Sequence, residues 1–171
     1  MASASKFVER FQVVTIIPPL DLDTDRTGDY VCLKNFHKAI FIFTKSPGTA
    51  GDDFNLDFQQ ATDVAGTSAK DLDVVNVYWI KQAATDLTAV GTFTKTSQTA
   101  ASEINGDATS AEQAVLLVAE ILSDQLDIAN GFDCISLNAS LDASGGAQYG
   151  AVVCLLEARY PQETVGSAIV D

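Results

Sequence analysis

A chain of 171 residues is long enough to form one domain that buries its own core without disulfide or metal staples. Its formal net charge of −13, from 23 acidic against 10 basic residues, argues against partners that present phosphate, both nucleic acid and anionic membrane. No segment reaches the ~20 apolar residues that span a bilayer, and Pro18-Pro19 interrupts the first apolar run, so no secretory signal is expected.

The cysteines are Cys32, Cys134 and Cys154. An odd count at wide spacing is no disulfide framework. Each lies in an apolar run, so each is expected as a buried free thiol. That usage fits synthesis in a cytosol.

Residues 1–11 form an N-terminal arm that turns amphipathic at Phe7, Val8 and Phe11. An apolar face so near an end needs something to cover it. Either the arm adds a strand to a neighbour's sheet edge, or it covers this domain's own edge. Gln12–Ile17 is β-branched and apolar and is expected to stop at Pro18-Pro19. Tyr30–Leu33 is a short strand. Ala39–Phe43 reads AIFIF, consistent with a strand buried on both faces. Its exit, from Lys45 to Gly51, is turn chemistry. In Asp53–Gln59 the residues Phe54, Leu56 and Phe58 alternate with Asn55, Asp57 and Gln59, which predicts one face in the core and one in water.

Leu72–Ile80 is a strand carrying Tyr78 and Trp79, and Leu87–Lys95 is a weaker one. Residues 96–112 are small and polar and are expected as a long loop. Gln113–Ile121 suits a helix by its alanines and glutamates and a strand by its VLLV; strand is the reading here. Asp124–Asn130 turns into Phe132–Leu141, where apolar and polar residues largely alternate. Asp142–Gly146 is a turn, Ala151–Leu156 is the last strand, and the tail carries no element signal. The sum is an all-β protein. The expected form is an antiparallel β-sandwich, jelly-roll-like, of about eight strands over residues 12–162, with a C-terminal tail at 163–171. No βαβ alternation appears.

Candidate chemistry is sparse. His37 is the only histidine, and the metal sites of jelly-roll oxygenases need a cluster of ligands. No Gly-x-Ser-x-Gly elbow accompanies it. Asp21, Asp23, Asp25 and Asp29 resemble the start of a calcium loop, but its sixth and twelfth positions are Arg26 and Cys32 rather than Gly and Glu. A solvated acidic loop and an adventitious cation site both remain open, with Asp52-Asp53 able to join in space. Asn138-Ala-Ser140 matches the glycosylation sequon, which means little without secretion. Trp79 lies in an apolar run, a poor place for a sugar-stacking platform. No catalytic, cofactor-binding or metal residue is assigned from the sequence, and a non-enzyme is expected.

Over residues 28–72 the stretch GDYVCLKNFHKAIFIFTKSPGTAGDDFNLDFQQATDVAGTSAKDL resembles a pattern of tailed-phage virion proteins. In that pattern a DYV-x-LK strand leads into a hydrophobic strand. A Gly-rich turn with GDD follows, then an alternating strand ending in QQATD-x-xGT-x-AK. EILSDQLDIANGFDC at Glu120–Cys134 and GAVVCLLEARYPQ at Gly150–Gln162 are similar to the same group, so the likeness runs over roughly residues 12–162. The resemblance implies a capsid cement or decoration protein. Such a protein is made in the host cytoplasm, sits on the capsid exterior, commonly forms trimers and bridges copies of the major capsid protein. It implies no catalytic residues, no cofactor, no nucleic acid and no membrane. A tail or head-tail connector component, a carbohydrate-binding β-sandwich and an acidic-site hydrolase are the alternatives. The cysteines and the 96–112 stretch depart from the pattern.

Overall fold

The computed structural model describes residues 6–49, 51–83, 87–88, 90–106, 113–141 and 147–170. They form two antiparallel sheets packed as a sandwich. The six-stranded sheet runs β1 (Phe11–Asp21), β11 (Tyr149–Ala158), β3 (Phe36–Lys45), β9 (Ala114–Leu122), β6 (Val75–Ala83), β7 (Thr94–Ala101). The five-stranded sheet runs β2 (Val31–Cys32), β10 (Cys134–Leu141), β4 (Phe54–Ala61), β5 (Lys70–Asp71), with β8 (Glu103–Asn105) also paired to β4. β3 pairs with β11 in one sheet, and their chain neighbours β4 and β10 pair in the other. A two-stranded ribbon thus folds across both sheets, which is the jelly-roll-like wrap.

The core lies between the sheets and is built by the period-two pattern. Phe41 of β3 meets Phe58 of β4 edge-on, with ring centroids 5.4 Å apart and planes at 88°. Phe43 and Phe54 make a second contact at 5.4 Å. Leu117, Leu137 and Leu156 belong to the same core, each at 0% exposure. β4 buries Phe54, Leu56 and Phe58 and turns Asn55, Asp57 and Gln59 outward, as its alternation predicts.

Several boundaries differ from expectation for definite reasons. β1 does not stop at Pro18-Pro19. It is the edge strand of its sheet, where missing N–H groups cost no ladder bond. The two prolines sit in a register shift between Ile17 and Leu20, which absorbs them as a bulge. Residues 94–105 are not loop. Thr94, Thr96 and Thr99 favour a pleated chain, and β7 is the opposite edge, where neither face needs apolar residues. Of the strand expected over Leu87–Lys95, Thr94 and Lys95 are strand among the described residues. Residues 107–112 and the 142–146 turn lie outside the described residues.

The described part of the arm, from Lys6 onward, is tied down. Phe7–Glu9 form a short 3-10 turn, and Phe7 stacks on Phe11 at 5.0 Å. From Phe11 onward the chain pairs with this domain's own β11. The tail has no regular element through 170, yet Val165 and Ala168 enter the core. The Ala168 carbonyl accepts the Cys32 N–H at 2.8 Å and so covers the free edge of β2.

Candidate functional site

β3 is the element from which the site is built. Its inward residues Ala39, Phe41 and Phe43 are fully buried, but Ile40 and Ile42 are only half-buried. The AIFIF run is therefore apolar on two faces but buried on one, which corrects the expectation of burial on both. Neighbouring strands repeat the pattern in register. Thr15, Val153, Ile42, Val118 and Trp79 form one cross-strand row, and Val13, Leu155, Ile40 and Glu120 form the next. All of these except Val13, Thr15 and Glu120 are half-buried by their neighbours; Val13 is 46% exposed. An antiparallel sheet with one solvated face ordinarily puts polar residues there. Here five adjacent strands present Val, Ile, Leu and Trp instead, a band about 19 Å wide at ordinary strand spacing.

Charges ring one end of this band in matched pairs. Lys38 Nζ lies 2.8 Å from Glu120 and 3.9 Å from Glu157, and Arg10 lies 3.3 Å from Glu157. At the β6–β7 end, Lys81 Nζ sits 4.5 Å above the Phe93 ring. The band is thus locally near neutral although the chain is strongly acidic.

The acidic character gathers on the other sheet. Asp25, Arg26, Asn55, Asp57, Glu103 and Asn138 help line a groove of about 360 Å³ over its outer face. Burial holds the Asp57 carboxyl above the usual range, and Asp71 adds to the effect, while amide and hydroxyl donors from Gln59, Ser102 and Asn138 oppose it. Asn138 of the sequon is engaged, since its Oδ1 accepts the Gly28 N–H at 3.1 Å.

No family model matches this chain, and no curated protein is similar to it. Solved structures similar to it include the SPBc2 prophage-derived protein YomS, at 8% identity and TM-score 0.33, covering 86% of this chain and 93% of that one. The Crh5 transglycosylase in complex with NAG aligns at 14% identity and TM-score 0.27, over 95% of this chain and 83% of that one. The Tobacco streak virus coat protein aligns at 15% identity and TM-score 0.22, over 94% and 96%. Likeness at this level carries no argument about activity.

The structure separates the residues that the sequence singled out. His37 is the extra residue of a bulge where β3 meets β11, exposed and on the sheet opposite the acidic groove. Asp21, Asp23, Asp25 and Asp29 do not gather as a ligand set among the described residues. Asp21 Oδ1 instead accepts the N–H groups of Asp23 and Gln148. Asp52 does join it, through Gln148, whose Nε2 donates to the Asp52 carbonyl at 3.4 Å and whose Oε1 accepts from Lys45 at 2.8 Å. That buried group was not foreseen. Burial lowers the Lys45 amine to about 8, with Asp53 and Asp52 pulling it back up. Trp79 lies in the apolar band, half-buried.

Proposed function

We propose that this chain is a non-catalytic virion structural protein of the cement or decoration type, which binds the capsid exterior and stabilises the shell. The observation that carries this reading is the apolar band on the outer face of the six-stranded sheet. A broad apolar surface on a soluble domain marks a protein contact, because leaving it in water costs about 25 cal/mol per Å². The resemblance over residues 12–162 supplies the partner class, the major capsid protein, together with a trimeric assembly. Acidity keeps free oligomers apart until that contact with the shell forms. Binding only the assembled shell then stabilises it by mass action, and repeated copies on a lattice add avidity. Synthesis in the host cytoplasm followed by addition to the shell fits this order.

The test combines sizing with reconstitution. The purified chain should elute as an oligomer, sediment with undecorated capsids and raise their resistance to heat. A chain that stays monomeric and never binds shells sinks the proposal. Imaging of intact particles separates shell-wide copies from copies confined to a tail or one vertex, the connector reading. The polar groove over the five-stranded sheet favours a second reading, glycan binding. Its lining residues include no aromatic ring, and measurable glycan affinity lost in Asp57→Ala would be its signature.

A further inference from the structure

Cys32 and Cys134 are 102 positions apart in the sequence, yet they are direct partners across β2 and β10. The adjacent pair is hydrogen-bonded, with the Leu33 N–H donating to the Asp133 carbonyl at 2.8 Å. Cys32 turns its own N–H outward to Ala168. The two cysteines therefore occupy a non-hydrogen-bonded position, where facing side chains stand closest. Asp133, just before β10, places Oδ1 3.4 Å from Cys134 Sγ. One ligand atom from each of the three residues lies within 4.8 Å of the others, the only such gathering of three or more His, Cys, Asp or Glu among the described residues.

From this geometry we propose that Cys32, Cys134 and Asp133 form a binding site for one thiophilic divalent cation of the zinc type. Tetrahedral zinc with thiolate bonds of about 2.3 Å needs sulfurs about 3.8 Å apart, within the span observed. The second oxygen of Asp133 faces Lys34 Nζ at 3.4 Å, so the carboxylate is held by an outer partner while its first oxygen faces the sulfurs. Lys34 also offsets the net negative charge that two thiolates and a carboxylate leave around a divalent ion. Ala61, Tyr30 and Val64 shield the sulfurs in a cluster separate from the main core. Asp133 keeps 16% of its side chain exposed and gives the ion a way in. Three protein ligands leave a fourth position for water. Binding breaks two S–H bonds, forms two metal–sulfur bonds and releases two protons to buffer. Cys154 is unlike this pair: it is sealed in the main core, where burial pushes its thiol far up.

The test is titration of the reduced full chain with cobalt(II), followed by zinc. The expected result is a thiolate-to-cobalt absorption band at one ion per chain, two protons released per ion, and displacement of the band by zinc. Cys32→Ser and Cys134→Ser should abolish the band, Asp133→Asn should weaken it, and Cys154→Ala should leave it intact. Should a cysteine variant fail to fold, zinc protection of two of the three wild-type thiols against alkylation gives the same answer. A wild-type chain with no band, or a band that survives in both serine variants, overturns the site.

Discussion

Lys45 shows how one buried residue sets a pH dependence. Its amine lies at about 8 in the fold and near 10.5 when unfolded. Between those values the unfolded chain binds more protons, so stability rises with pH and is lost again as pH falls through 8. The gain from pH 8 to 9.5 should be on the order of 1 kcal/mol, and urea midpoints measured across that range should climb. Tyr30 and Tyr78, which burial raises from 10.0, act in the opposite sense only at higher pH. Lys45→Met should flatten the slope. At Gly28 a different residue-scale limit applies. A Cβ there would stand 2.3 Å from the Leu137 carbonyl oxygen and 2.5 Å from Ile16. Backbone on one side and a buried side chain on the other leave no room, so Gly28→Ala should cost about 1–3 kcal/mol in thermal or chemical unfolding.

Individual strands were legible in the sequence wherever a buried face imposed a period. β4 is the clearest, because Phe54, Leu56 and Phe58 face the core and nothing else competes. β9 has no polar alternation, and its VLLV run and the turn at Asp124–Asn130 are what point to a strand; in the fold Val115, Leu117 and Ala119 bury while Leu116 and Val118 turn out. β7 was illegible because an edge strand with two wet faces leaves no hydrophobic period, and only its threonines hint at pleat. β1 was cut short because Pro18-Pro19 forbids a central strand, and the sequence does not reveal which strands are edges. The band was half-legible. AIFIF declares two apolar faces, but what covers the second is a matter of assembly. The Cys32–Cys134 pairing was wholly hidden, since register between distant strands is set by the complete sheet. Alternation along β3 makes neighbouring positions differ in what they tolerate. Phe41→Glu should prevent folding, whereas Ile42→Glu on the next residue should leave a folded chain, destabilised by about 1 kcal/mol. Far-UV circular dichroism and thermal melts of the two variants separate these outcomes.

At the scale of the whole molecule, the apolar band and the net charge act in opposite directions. Copies each carrying a charge of −13 repel one another, and the repulsion falls as salt shortens the screening length from about 10 Å at 0.1 M to about 3 Å at 1 M. Apolar contact is not screened, and the ion pairs at the band's rim are internal to the chain, so they make no demand on a partner. Self-association through the band should therefore strengthen as salt rises from 0.05 to 0.5 M, by about tenfold or more. Sedimentation velocity across that range measures it directly. Ile42→Glu should remove the association at every salt concentration, because it places an unpaired charge at the centre of the band. Association that weakens with salt, or persists in Ile42→Glu, would mean that copies meet through the acidic sheet and its cations. The six-stranded face would then not be the surface through which copies meet.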